Sequence, residues 1–169
     1  IAVESKKGVG TTFTVEIPME LTSSEKVEKT KKPAKRKGLK GIKVLLAEDN
    51  DLNAELAAIL LEDSEMIVTR AADGQEVVDL FANHPAGTYD IILMDIMMPK
   101  MDGLQAAKAI RAMQAERPDA EEIPIIALSA NAFAEDVQTS LDAGMNGHVS
   151  KPLNVAEVAK VIARNLNKS

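Results

Sequence analysis

No cysteine occurs among the 169 residues, which excludes a disulfide framework, thiolate metal ligation and thiol catalysis. Tryptophan is absent too. Phe13, Phe81, Tyr89 and Phe133 are the only aromatic rings, too few for a stacking surface that reads bases or holds a flavin. Uninterrupted apolar runs are short: residues 57–61 fall far below the roughly 20 residues that a membrane span requires. The opening Ile1-Ala2-Val3-Glu4 has no basic stretch before an apolar run, so no signal peptide is expected. It also lacks an initial methionine, which reads as a piece cut from something longer. No G-x-x-x-x-G-K-[ST] loop exists, and Gly8-Val9-Gly10 alone is a weak phosphate signal. What is present suits a globular fold: 46% apolar and 27% charged residues. The length admits one domain with appendages. A soluble, cytoplasmic piece is the expectation.

The net charge of −6 hides an asymmetry. Residues 21–40 carry eight basic side chains against Glu25 and Glu28, a local +6, whereas residues 41–169 carry a local −11. Leu21, Val27 and Leu39 are the sizeable apolar residues of the basic stretch, so it cannot bury a core and reads as a flexible linker. Lysine runs are usually solvated, so nucleic acid is not the expected partner. Ahead of it, residues 3–5 and 12–17 alternate apolar and polar around the Gly8-Val9-Gly10 turn, the pattern of a hairpin. A hairpin alone is marginal in water, so this one resembles the edge of a larger domain. Residues 1–40 are expected to add little stability.

The acidic body alternates two periods. Apolar runs at residues 43–47, 66–71, 91–94 and 124–128, with a short one at Val149, read as five strands. Between and after them fall helical spacings: Leu52, Leu56, Ile59 and Leu60; Val77, Val78 and Phe81; Leu104, Ala107, Ile110 and Met113; residues 133–143, stopped by Gly144; and Val155, Val158, Ala159, Ile162 and Leu166. Regular βα alternation gives an α/β fold with a parallel sheet and helices on both faces. Ligands then bind beyond the carboxyl ends of the strands.

Those ends carry Glu48 and Asp49, Asp95, Ser129 and Lys151. Two carboxylates about 4 Å apart repel by roughly 4 kcal/mol at an effective dielectric near 20, so converging acids call for a cation. Oxygen ligands without cysteine or a local histidine suit a hard ion, Mg²⁺ first. A lysine beside such acids suggests an anionic guest, and a phosphoryl group fits. An aspartate can serve as nucleophile and form an acyl phosphate. Met94, Met97, Met98 and Met101 lie beside a buried strand and read as core packing rather than copper ligands.

Leu46-Ala47-Glu48-Asp49-Asn50, Asp95-Ile96-Met97-Met98-Pro99-Lys100-Met101-Asp102-Gly103, Ala127-Leu128-Ser129-Ala130-Asn131-Ala132 and Ser150-Lys151-Pro152 follow in this order. Together they closely resemble the receiver domains of two-component response regulators, over residues 41–167. The wording of the loops, with Gly144-Met145-Asn146-Gly147, is most similar to receivers attached to hybrid sensor histidine kinases. Residues 1–5 and 8–18 resemble the closing strands of a histidine-kinase ATP-binding domain, which divides the chain into a 1–20 remnant, a 21–40 linker and a 41–169 receiver.

The resemblance implies a doubly wound five-stranded parallel sheet of order 2-1-3-4-5, flavodoxin-like. It implies that Asp95 accepts a phosphoryl group from a phosphohistidine on a histidine-kinase domain or a histidine-phosphotransfer protein. Asp49 and Asp95 would ligate Mg²⁺, Glu48 directly or through water, and Met97 by its backbone carbonyl. Lys151 would bind a phosphoryl oxygen, aimed by a cis peptide before Pro152. Ser129 would hydrogen-bond the phosphoryl group, and small Ala130 would leave the entry open. Three residues before the lysine the family usually has Tyr or Phe as a switch; here stands His148. Neither His84 nor His148 has the context of a phosphodonor helix. The fragment is expected to be no enzyme beyond its own phosphorylation and dephosphorylation, and its parent a hybrid kinase. Related classes fit less well. An aspartate-nucleophile phosphatase needs a second Asp where Met97 stands, a flavin carrier lacks its loop and rings, and a pseudo-receiver would have lost an acid or the lysine.

Overall fold

The computed structural model describes residues 1–16, 39–130 and 134–166. Two compact units, Ile1–Ala34 and Lys35–Ser169, are taken separately. Most of the stretch read as a linker, Asn131 and Ala132 of the third motif, and Phe133 at the expected start of the following helix lie outside the described residues.

In the first unit β1 (Ala2–Lys6) pairs antiparallel with β2 (Gly10–Thr14), from Ala2 opposite Thr14 to Lys6 opposite Gly10. The expected hairpin is there, but its second strand starts and stops earlier than the alternation suggested. Gly8 (φ +82°) and Gly10 (φ +143°) supply the backbone that the turn needs, and the Val9 amide donates to Lys6 O at 3.0 Å. All strand residues are exposed.

The second unit builds β3 (Lys43–Ala47), α1 (Asp51–Glu62), β4 (Ile67–Ala71), α2 (Gly74–Asn83), β5 (Ile91–Asp95), α3 (Gly103–Ala112), a one-turn α4 (Asp119–Glu122), β6 (Ile125–Ser129), α5 (Ala134–Asp142), β7 (Gly147–Ser150) and α6 (Val155–Leu166). Its strands are parallel, in the order β4-β3-β5-β6-β7, the 2-1-3-4-5 order expected. Each strand points alternate residues to opposite faces, so the continuous apolar runs feed two cores. Leu45, Ala47, Ile92, Met94, Ile125 and Ala127 pack under α2 and α3 with Val77, Phe81, Ala107 and Ile110. Val44, Leu46, Ile91, Leu93, Ile126 and Leu128 pack under α1 and α6 with Leu61, Val158 and Ile162. Leu39, at the end of the basic stretch, is buried in this second core.

Two readings of apolar residues change. On α1 the face toward the sheet is Ala54, Ala57, Ala58 and Leu61, whereas Leu52, Leu56 and Ile59 are 75%, 55% and 54% exposed. The alanines share the same helical spacing, and their small side chains bring the helix close to the sheet; the larger residues are left outside. Met97 is the second change: Met94 and Met98 are buried, but Met97 is 83% exposed on the loop after β5.

The α4 turn was not expected. Arg111 ties it in, donating to Ala120 O (2.6 Å), Ile123 O (2.9 Å), Gly144 O (2.9 Å) and Asn146 Oδ1 (2.7 Å). Gly144 ends the α5 turn at φ +89°, where Met145 N reaches Ser140 O at 3.1 Å, the wrap of a glycine C-cap.

Candidate functional site

Every strand of the parallel sheet except β4 ends in, or is followed at once by, a polar residue at the same edge. Glu48 and Asp49 follow β3, Asp95 closes β5, Ser129 closes β6 and Lys151 follows β7. Parallel strands in register bring these ends together: Asp95 is the partner of Leu128, and Ser129 of Ser150. Glu48, Asp49 and Asp95 each offer an oxygen, all within 4.8 Å of one another. Glu48 and Asp95 are buried, and Asp49 is exposed. The sequence reading placed all of these residues together, and the geometry does so.

Lys151 Nζ lies 2.5 Å from Glu48 Oε2 and 2.6 Å from Asp95 Oδ2. An anionic guest was expected to justify this lysine; instead it already bridges two carboxylates and offsets part of their mutual repulsion. Burial pushes the Lys151 ammonium down, but its bonds to Asp95 and Glu48 outweigh this and hold it above the ordinary lysine value. The peptide between Lys151 and Pro152 is cis, as the resemblance implied. Asn53, on the first turn of α1, donates from Nδ2 to Glu48 Oε1 at 3.1 Å. Asn50 caps that helix through Asn53 N, so the acidic loop and the helix start are fastened together.

On the other side, the Met97 amide donates to Asp95 Oδ1 at 3.1 Å, which holds the Met97 peptide beside the acids. Gly103 sits so close to the Asp95 carbonyl that any side chain there would displace the end of β5. Lys100 (φ +62°) pairs with buried Asp73, which caps α2 by accepting from Glu76 N at 2.9 Å. Ser129 Oγ lies 2.9 Å from His148 Nε2. Ala130 and Pro152 are exposed at the rim. A cavity of about 350 Å³ runs from Glu48 and Lys151 along Leu56, Leu60 and Leu153 toward the exposed face of α1.

Three of these features were not read from the sequence: Asn53 on Glu48, the Asp73–Lys100 pair, and the apolar surface of α1. Asp73 with Glu76 and Asp102 with Gln105 carry a helix-start spacing that could have been read. Nothing local announces the Asn53 contact.

A family model described as the response regulator receiver domain matches residues 44–163. Hybrid signal transduction histidine kinase B of Dictyostelium discoideum is 38% identical over 152 residues, 85% of this chain and 8% of that protein. Sensor protein GacS of Pseudomonas syringae pv. syringae is 37% identical over 122 residues, 72% of this chain and 13% of that protein. The chain thus spans a small part of the length of these curated relatives. Among solved structures, the receiver domain of sensor histidine kinase PA1611 from Pseudomonas aeruginosa has a magnesium ion coordinated in its active-site cleft. It matches with a TM-score of 0.65 at 36% identity, covering 75% of this chain and 98% of that one. The receiver domain of Saccharomyces cerevisiae Ssk1, crystallised with the histidine phosphotransfer protein Ypd1, gives a TM-score of 0.65 at 28% identity, covering 75% and 89%. The family model spans well over half of the sequence and the sheet follows the receiver order, so the chain belongs to the response regulator receiver domains of two-component phosphorelays.

Proposed function

We propose that Asp95 is the phosphoacceptor and that a phosphohistidine on a partner protein is its donor. The observation that carries this reading is the convergence of Glu48, Asp49 and Asp95 within 4.8 Å, with Lys151 Nζ at 2.6 Å from Asp95. An Asp95 oxygen forms the P–O bond as the P–N bond breaks, and the donor imidazole leaves and takes up a proton. Lys151 turns its ammonium from Asp95 to a phosphoryl oxygen, a charge-assisted bond of about 1.5–3 kcal/mol. Ser129 donates its hydroxyl to another oxygen and, with Lys151, favours the phosphorylated geometry. Ala130 adds no bulk at the entrance, and Pro152 directs the chain away behind Lys151.

Hard oxygen donors without sulfur or imidazole fit Mg²⁺. Asp49, Asp95 and the Met97 carbonyl would hold it, with Glu48 bound directly or through water. When bound, the ion supplies positive charge that draws the phosphoryl oxygens toward Asp95.

The partner we propose is a histidine-kinase phosphodonor domain or a histidine-phosphotransfer protein. Leu52, Leu56 and Ile59 support docking beside the site, since exposed apolar side chains in a row mark a contact surface. Such exchange assigns the chain to the cytoplasm. Among the described residues no helix is long and apolar enough to cross a membrane. The parent is then a hybrid histidine kinase. The hairpin, with Val3 opposite Phe13, is the closing edge of its ATP-binding domain, in a 1–20, 21–40 and 41–169 division.

Incubation with acetyl phosphate and Mg²⁺ followed by intact mass tests the chemistry. One phosphoryl mass gain is expected, and none for Asp95→Asn. Full labelling of that variant would overturn the assignment.

A further inference from the structure

Lys100 has a left-handed backbone (φ +62°), a conformation that a residue with a Cβ keeps where its surroundings hold it there. It lies on the loop between Asp95, the end of β5, and Gly103, the start of α3. The start of α2 is what holds it. The Lys100 ammonium reaches, from a side chain that is 75% exposed, to the buried carboxylate of Asp73. One residue on, Met101 O accepts from Gly74 N at 3.1 Å. A Cβ on Gly74 would stand 2.4 Å from that carbonyl, so glycine lets the helix start and the loop meet. Asp73 is fixed in turn, since its Oδ1 accepts from Glu76 N at 2.9 Å while Oδ2 takes the lysine.

The same loop carries groups that face the acids. Its base is closed where Gly103 N donates to Ile96 O at 3.0 Å. Between that closure and Lys100 lies Met97, whose amide donates to Asp95 Oδ1 at 3.1 Å and whose carbonyl is assigned to Mg²⁺. The Met97 side chain is exposed, so packing does little to fix its peptide. The tethers at Lys100 and Met101 follow within a few residues, and Pro99 in between has its φ set by its ring. A short, stiff piece of chain therefore passes the constraint from α2 to the Met97 peptide.

We infer that Lys100 and Asp73 are positioning residues, whose ion pair holds the loop after β5 so that Met97 presents its amide to Asp95 and its carbonyl to the metal ion. This role presupposes the function proposed for Asp95 and its Mg²⁺. Charge alone predicts the reverse for one partner. A lysine ammonium near the acids repels a second cation, so its loss by itself would tighten Mg²⁺ binding, whereas the loss of a latch weakens it.

Two measurements test it. Lys100→Met keeps the aliphatic stem and removes the ammonium; Asp73→Asn keeps an acceptor for the α2 cap and removes the charge. Mg²⁺ titrations followed by amide NMR are expected to show Kd raised about five-fold in Lys100→Met, within the range that residues remote from a ligand exert on its binding. Asp73→Asn should weaken binding at least as much. The double variant should bind no more weakly than Asp73→Asn, because the two residues form one latch. Tighter or unchanged Mg²⁺ binding by Lys100→Met refutes the inference, as do losses that multiply in the double variant. The second readout needs no metal. Exchange of the Met97 amide with solvent should quicken about five-fold in metal-free Lys100→Met, a local opening, while the Ile92 amide, bonded to Pro124 O at 2.9 Å within the sheet, keeps its wild-type rate. An unchanged Met97 rate refutes the latch, and equal acceleration of both amides refutes it as a general loosening of the fold. A wild-type protein that binds no Mg²⁺ would sink the proposed metal site instead, and the Met97 exchange rates would still decide the latch.

Discussion

Between Glu48 and Asp95 the Lys151 ammonium makes two charge-assisted hydrogen bonds, of 2.5 and 2.6 Å, from a side chain that is itself 24% exposed. Removing one partner from a buried ionic cluster strands the others, at about 3–5 kcal/mol. Lys151→Ala should therefore lower the urea stability of the metal-free protein by that order, and Mg²⁺ should restore much of it, because a second cation can reach the same carboxylates. A loss of stability that Mg²⁺ leaves untouched would show that Lys151 acts through packing. Asp49 is the opposite case. It is exposed, and the repulsion it feels is already relieved in part by Lys151, so Asp49→Ala should shift metal-free stability by no more than about 0.5 kcal/mol. It should nonetheless abolish the gain from Mg²⁺, about 2.7 kcal/mol at a hundredfold excess over Kd. Urea melts of both variants with and without Mg²⁺ check the pair of predictions. These residue positions were legible in advance because each follows a strand end.

At the scale of elements, the loop after β5 is fastened to the start of α2. Asp73 pairs with Lys100 and caps the helix, and Gly74 N donates to Met101 O at 3.1 Å. The hydrogen bond from Lys100, and next the Glu76 amide, hold the Asp73 carboxyl below the usual carboxylate range. A carboxylate depressed in the fold stabilises it fully above its unfolded pKa, near 4, and loses that contribution as the pH falls through the folded value. Asp73→Asn keeps a cap acceptor but not the charge, so its stability should fall less steeply below about pH 4 than that of wild type. Asp73→Ala should lose about 1 kcal/mol near neutral pH from the missing cap. Acid and urea titrations followed by circular dichroism measure both; identical acid profiles for wild type and Asp73→Asn would refute the ion-pair account. The helix start here was written as Asp73-x-x-Glu76, but its long-range partner Lys100 was not.

For the whole molecule, the exposed row of Leu52, Leu56 and Ile59 meets, at Leu56, the cavity that leads to Lys151. If a phosphodonor protein covers this row, Ile59→Glu should slow transfer from phosphorylated donor about ten-fold, since a buried charge at an interface costs well over 1 kcal/mol. Labelling by acetyl phosphate, which needs no docking, should be unchanged. Equal effects on both donors would locate the damage in the site rather than on the surface.

The sequence by itself determined the alternation of five strands with the five longer helices, the two-faced sheet and the convergence of Glu48, Asp49, Asp95, Ser129 and Lys151, because period, length and strand ends are local properties. Only tertiary structure decided which side of α1 meets the sheet. Alanine and leucine rows have the same spacing, and the close approach of helix to strand selects the smaller. It alone decided that Met97 lies outside while Met94 lies inside, and that Lys151 already has anionic partners. It alone set Asn53 on Glu48 and His148 on Ser129, since both depend on the register and distance of segments far apart in the chain.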